Sequence, residues 1–297
     1  MSLTVRQWTA DDAVPLLRVP AADDHKYSRG ALGVRTGASQ YPGAAVLTAE
    51  AAWRTGIGLV TFVSPQNDAP SRHGLPSPAA AVLARRPETV FADDIATAVA
   101  RCDAWVIGSG TDAATRSPAE HEALLQILAG AAPVVVDAGA IELTRRSPSA
   151  PVIVTPHMGE FTSLWQAAGL RSELSLTSDA QPLVRAAAAH TLARSLGITV
   201  LLKGSITTVA SPHTDEVIQV GPATPWLATA GTGDVLAGVL GALVASHAAA
   251  VHAEPRLLAA LGATAALLHD LAARIAGGPC TALDVAAALP QAIASLR

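Results

Sequence analysis

In the eighteen residues TAGTGDVLAGVLGALVAS, Thr229 to Ser246, one side chain is acidic. That residue, Asp234, follows Gly231-Thr232-Gly233 and precedes an almost unbroken apolar run. Glycines let backbone N–H groups close on an anion, and a helix N-terminus adds a partial positive charge. A carboxylate beside such amides can take the proton from a hydroxyl that attacks a bound phosphate. An Asp in a first helical turn can also serve only to cap the helix or complement its dipole. A glycine on each side of Thr232 favours the anion hole, because a cap needs neither.

Four more segments carry residues with chemical uses. In VTPHMGEF (154–161) a strand ends at Thr155, and His157 precedes a helix opened by Gly159-Glu160. A histidine there can face a ligand or be a polar turn residue. In LLKGSITT (201–208) Lys203 closes an apolar strand and Gly204 turns the chain. Either Lys203 snorkels at the sheet edge, or the turn and its hydroxyls hold a nucleotide. In AWVIGSGTDAATRSP (104–118), Gly108, Gly110 and Ala113 with Asp137 further on approximate a dinucleotide fingerprint. That motif needs a helix directly after the glycines, and Pro118 stands where it would be continuing, so 108–118 reads as a loop. Asp137 either meets a ligand or metal-bound water or caps the next turn. Finally, Gly30, Gly33, Gly37 and Gly43 surround a short strand and open a helix at Pro42-Gly43-Ala44.

Positioning these groups requires alternating strands and helices. The β-branched runs 59–63, 104–108, 133–137, 151–155 and 199–203 predict strands buried on both faces. Stretches 43–56, 119–130 and 181–197 have helical spacing and end at glycine. ITTVAS and EVIQV predict a hairpin, and 234–245, 255–276 and 281–295 predict helices. SPQNDAPSRHGLPSP (64–78) reads as a long surface loop. This alternation predicts a doubly wound, mostly parallel sheet, with ligands beyond the carboxyl ends of its strands.

Composition narrows the function. The 297 residues are 50% hydrophobic but only 3% aromatic, so alanine carries much of the apolar character. A net charge of −4, with no basic stripe, argues against a nucleic-acid partner. Two cysteines without metal-ligand spacing suit a reducing compartment, and the N-terminus lacks a signal-peptide layout. Val235–Val251 falls short of the ~20 apolar residues of a membrane span and reads as a buried helix. A soluble cytoplasmic protein is expected.

The segments KYSRGALGV, GASQYPGAAVLTAEAAWRTGIGLV, IGSGT, VVVDAGAIEL, VTPHMGEF, LLKGSITTVA and AGTGDVLAG occur in one order between Lys26 and Gly241. Together they resemble the ADP- or ATP-dependent NAD(P)H-hydrate dehydratases of the ribokinase-like superfamily. The sequence departs from that family's usual Lys-Gly at Lys26-Tyr27-Ser28-Arg29-Gly30, and from Gly-Pro-Gly at Gly108-Ser109-Gly110. The resemblance implies an α/β fold, a ribokinase-like three-layer αβα sandwich with a mostly parallel central sheet. It implies one domain over residues 1–297, with 1–25 as an N-terminal extension and no room before Lys26 for the epimerase domain some members carry.

The implied reaction restores hydrated NADH or NADPH by phosphorylating the C6 hydroxyl from ADP or ATP and eliminating phosphate. By resemblance, Asp234 is the base and Gly231, Thr232 and Gly233 form the anion hole. Lys203, Gly204, Ser205, Ile206, Thr207 and Gly233 line the nucleotide site. Ala44, Gly110, His157 and Asp234 line the hydrate site. Mg²⁺ neutralises the phosphates without a dedicated protein cage, and the protein is expected to be a homotetramer. A vitamin-alcohol kinase of the same superfamily and a non-catalytic nucleotide sensor are the alternatives. TPHMGEF and GASQYPGAA favour the dehydratase over the first, and Asp234 argues against the second.

Overall fold

A computed structural model describes residues 3–65, 73–145, 148–170 and 180–297. The chain opens with β1 (Thr4–Gln7) and α1 (Ala10–Ala13), then β2 (Ala31–Arg35), α2 (Pro42–Thr55), β3 (Leu59–Phe62) and α3 (Pro78–Arg85). Next come β4 (Val90–Phe91), α4 (Ile95–Val99), β5 (Ala104–Ile107), α5 (Pro118–Leu128), β6 (Val134–Val136) and β7 (Val152–Val154). α6 (Met158–Ala167), α7 (Pro182–Leu196), β8 (Thr199–Leu202), β9 (Thr207–Ala210) and β10 (Glu216–Val220) follow. The chain closes with α8 (Thr232–Ser246), α9 (Ala248–Ala253), α10 (Leu257–Ala276) and α11 (Ala282–Ser295).

The strands form one sheet in the order β1-β10-β9-β8-β7-β6-β5-β2-β3-β4. β9 runs antiparallel to both of its neighbours, and the other pairings are parallel. Side chains alternate across the sheet because the strand period is two. Val106, Val135 and Leu201 enter a core with α2, α8, α10 and α11. Ile107, Val136 and Leu202 enter a second core with α5, α6 and α7. The result is three layers, α, β and α, as expected. The hairpin is β9 and β10, and the predicted strands lie within a residue or two of those observed.

Several elements went unread in the sequence. β1, inside the stretch expected to be an extension, pairs in parallel with β10. α3, α4 and α9 are short helices. The expected loop at 64–78 lies partly outside the described residues, and α3 begins at its last position, Pro78. One helix, α10, has the length and apolarity to cross a membrane, but 67% of its most apolar window is buried inside the protein.

Between β2 and β5 the order of successive strands reverses, which opens a crevice at their carboxyl ends. α8 lies over this point. A Cβ on Gly238 would come 2.3 Å from the Thr48 carbonyl oxygen of α2, and one on Gly241 would come 2.2 Å from Val106 of β5. The two glycines therefore let α8 seat closely on α2 and the sheet. Twelve of the fifteen residues of α8 are buried, which anchors the helix and holds its N-terminus in place.

Candidate active site

Four strand ends and one helix start supply the polar groups. β6 ends at Asp137, whose carboxylate is buried. It accepts hydrogen bonds from Ser109 Oγ after β5 (2.9 Å), Thr155 Oγ1 after β7 (2.7 Å) and Lys203 Nζ after β8 (2.9 Å). Burial alone pushes the Asp137 carboxyl up. The Lys203 ammonium and the two hydroxyls outweigh that, and hold it below the ordinary carboxylate value. Burial likewise works against the Lys203 charge, and the Asp137 carboxylate reverses the effect and raises its pKa. Lys203 therefore does not snorkel to solvent, and Asp137 is not a simple turn cap but the acceptor that ties the ends of β5, β7 and β8 together.

Asp234 behaves in the opposite way. It stands in the first turn of α8, and its carboxylate has no hydrogen-bond or ion-pair partner among the described residues. Burial pushes its pKa up to about 7, the Asp137 charge adds to the rise, and Lys203 opposes it. A carboxylate poised near neutral pH is suited to general-base work. The helix begins at Gly231, whose φ of 89° is left-handed, and no side chain caps it. A helix start leaves backbone N–H groups without intrahelical partners, so the 231–233 region can receive an anion, although the Thr232 amide also donates to the Thr229 carbonyl at 3.3 Å.

A cavity of about 390 Å³ opens beside this helix start. Lys203, Gly204, Ser205 and Thr207 line one side, and Thr232 and Gly233 line another. Ala223, Pro225, Leu227, Leu236 and Ala266 make the remainder apolar. A flat ring at the apolar end, with phosphates toward Lys203 and Gly233, suits this lining. Ile206 lies in the same turn but does not line the cavity. His269 also lines it, and burial pushes its pKa down to about 4, which keeps it neutral. Nothing in the sequence pattern marked His269, which sits mid-helix in α10.

The remaining candidates sit elsewhere along the crevice. Gly110 has a φ of 66°, and a Cβ there would lie 2.2 Å from Ala44 Cβ, so these two meet where β5 ends and α2 begins. Leu47, one turn along α2, lies against Gly231, which ties this corner to α8. His157 lines a separate cavity of about 430 Å³ with Gly139, Glu142 and Glu160. It is also the N-cap of α6: Nδ1 accepts from the amides of Gly159 (3.0 Å) and Glu160 (3.3 Å). Glu160 completes the capping box by accepting from the His157 amide at 2.8 Å. Pro118 opens α5, and 108–112 is loop, so the glycines there do not lead into a dinucleotide-binding helix. Among the described residues, no three His, Cys, Asp or Glu side chains gather as a metal cage.

Residues 32–286 match the family model described as NAD(P)H-hydrate dehydratase. The chain belongs to the NAD(P)H-hydrate dehydratase family. It is 34% identical to the bifunctional NAD(P)H-hydrate repair enzyme of Corynebacterium glutamicum, over 93% of this chain and 49% of that protein. It is 38% identical to the corresponding Mycobacterium tuberculosis enzyme, over 80% of this chain and 45% of that protein. The chain thus spans about half the length of these curated relatives. The ADP/ATP-dependent NAD(P)H-hydrate dehydratase of Bacillus subtilis, co-crystallised with ATP/Mg²⁺, superposes with a TM-score of 0.78 at 25% identity, with both chains covered in full. A hydroxyethylthiazole kinase from Pyrococcus horikoshii shares the fold at TM-score 0.62 and 17% identity, covering 95% of this chain and 92% of that one.

Proposed function

We propose that this dehydratase-family chain restores hydrated NADH or NADPH at the expense of ADP or ATP. The observation that carries the proposal is Asp234: an unpartnered carboxylate with a pKa near 7, beside an uncapped helix start and a nucleotide-sized cavity. In this reading Asp234 removes the proton from the C6 hydroxyl. The hydroxyl oxygen attacks the terminal phosphorus of the nucleotide, and the bond to the bridging oxygen breaks. Amides of Gly231, Thr232 and Gly233 hold the phosphoryl charge. The ring nitrogen's lone pair then expels phosphate from C6, and loss of a proton from C5 restores the reduced ring. Phosphate leaves where hydroxide would not, which is why a kinase-like site serves an elimination.

The turn Lys203, Gly204, Ser205, Ile206 and Thr207, with Gly233, is assigned to the adenine nucleotide. Ala44, Gly110, His157 and Asp234 are assigned to the hydrate. Mg²⁺ is assigned to the nucleotide's phosphates, since the described residues provide no cage of their own. Two buried free cysteines suit a reducing, cytoplasmic setting. A homotetramer is proposed, and a monomeric mass by light scattering would overturn that.

The test is to incubate the protein with hydrated NADH, Mg²⁺ and either ADP or ATP. The near-ultraviolet absorbance of the dihydropyridine should return, together with inorganic phosphate. A vitamin-alcohol kinase would use the same aspartate but keep the phosphate on its product, so phosphate release separates the two readings. No return of absorbance with either nucleotide would sink the proposal.

A further inference from the structure

A third cleft, of about 230 Å³, lies at the end of the sheet opposite the strand carboxyl ends, where β2 begins and α8 finishes. Arg18, Arg29, Arg54 and Arg297 all line it. Each is held in place. Arg18 Nη1 donates to the carbonyls of Ser28 (2.9 Å) and Ser246 (3.2 Å). Arg29 Nη2 donates to the Gly56 carbonyl at 2.6 Å. Arg297 Nη2 donates to the carbonyls of Arg18 (2.7 Å) and Leu17 (3.3 Å). Arg54 Nε bonds the buried Glu50 at 2.5 Å, and that carboxylate also serves Arg85 and Arg86.

Two facts set this cleft apart from ordinary surface charge. Arg18, Arg29 and Arg297 have no carboxylate within ion-pairing distance among the described residues, so main-chain carbonyls fix their geometry, and the Asp24 carboxylate, which feels the charges of Arg18 and Arg29, offsets only part of the positive charge. The acidic side chain in the lining, Asp24, accepts from the Ala21 amide (2.9 Å) and Ser28 Oγ (2.7 Å). Capping the carboxyl ends of α2 and α8 explains one nitrogen of Arg29 and of Arg18. A guanidinium has five N–H donors, and the rest of each fork is left to meet a ligand. The cleft is smaller than the ~300–1,000 Å³ of pockets that enclose drug-sized molecules. Its guanidinium donors match a tetrahedral oxyanion, which guanidinium forks bind in bidentate fashion, and the cleft has room for a small group esterified to it.

We propose that this cleft is a binding site for a small phosphate group, free or carried as a phosphate ester, separate from the nucleotide cavity. The probes are inorganic phosphate and glycerol phosphate, titrated calorimetrically into the intact protein, with Arg18→Gln and Arg297→Gln as variants. Losing a charge-assisted hydrogen bond should weaken the cleft's binding about tenfold or more in each. Binding of inorganic phosphate alone identifies the free ion as ligand, and tighter binding of glycerol phosphate identifies an ester. Any phosphate bound at the start of α8 would be left unchanged by Arg18→Gln and Arg297→Gln. If Arg18→Gln fails to fold, Arg297→Gln, near the end of the chain, decides. The proposal is overturned if neither probe binds, or if all binding persists in a folded Arg297→Gln variant.

Discussion

Of the helices that begin along the crevice, α6 and α8 begin differently. α6 starts with a closed capping box in which His157 takes two amides and Glu160 takes a third. α8 starts at a left-handed glycine with no side-chain cap, and its nearby carboxylate bonds nothing among the described residues. The first arrangement secures a helix. The second puts Thr232 and Gly233 on the wall of the cavity that Lys203 lines, with Asp234 next in the chain. The same contrast distinguishes the aspartates. Asp137, with three donors, is held ionised, whereas Asp234, with none, is raised to about 7. Burial raises both carboxyls; the Lys203 charge and the hydrogen bonds overturn it at Asp137, whereas at Asp234 burial and the Asp137 charge outweigh Lys203, so Asp234 is the one that can accept a proton near neutral pH.

Asp234→Asn gives the largest expected effect. It keeps the shape and removes the base, so turnover should fall by ~10²–10⁴. Because Asp234 caps nothing in the structure, thermal stability should hold to within about 1 kcal/mol. A variant that turns over within about tenfold of the native rate would show that α8 needs no base. In the native protein, Asp234 must be ionised to act. Its raised pKa therefore predicts that kcat/KM rises with pH through about 7 and falls about tenfold per unit below that, measured over the range where the fold is intact.

Asp137→Asn should act next most strongly, mainly on stability. Removing one partner of a buried ion pair typically costs ~3–5 kcal/mol, read as a fall in the denaturation midpoint. The sign of its effect on Asp234 follows from the charges. The Asp137 anion raises the Asp234 pKa and Lys203 lowers it, so losing Asp137 should move the rising limb to lower pH. Lys203→Met should move it to higher pH. Shifts in the same direction would show that the two aspartates are not electrically coupled through Lys203. Asp137 itself is depressed, so the stability it contributes is present above the unfolded carboxylate pKa and fades as pH falls through the lower folded value.

Gly231→Ala should be milder in stability but informative about the anion hole. A non-glycine residue at φ 89° costs ~1–2 kcal/mol, and the new Cβ would come 2.6 Å from Leu47 Cδ1. Turnover should fall more than this stability loss explains, because the amides that follow are displaced. An unchanged rate would place the anion hole elsewhere.

These contrasts also show what the sequence could and could not reveal. The strands were legible because each is a β-branched run buried on both faces, and α8 because a glycine cluster precedes an apolar stretch. β1 reads TVRQ, mostly exposed, and carries no hydrophobic signal; its place comes from pairing with β10 more than two hundred residues away. Asp234, Lys203 and His157 were visible as polar residues at element ends. The bond from Lys203 to Asp137 spans 66 residues and crosses the end of β7, so only topology brings the two together. Ser109 also gains its meaning only in three dimensions, as a donor to Asp137.

The smallest expected effect belongs to His157, and it bears most closely on the comparison between the helices. If His157 only closes the start of α6, then His157→Ala should cost ~0.5–2 kcal/mol of stability and leave KM for both substrates unchanged. If it also faces the hydrate, KM for hydrated NADH should rise more than KM for the nucleotide, because the Lys203 turn lines a different cavity. His157→Asn separates the two roles. Asparagine is a strong N-cap, so it should recover the stability lost in His157→Ala. It lacks the exposed remainder of the imidazole ring, which lies 63% open to solvent beside Glu160. A raised KM for the hydrate in His157→Asn, with native stability and a native nucleotide KM, assigns His157 to substrate as well as to the helix. Native values for all three quantities would leave it a cap alone, and the hydrate site would then rest on Ala44, Gly110 and Asp234.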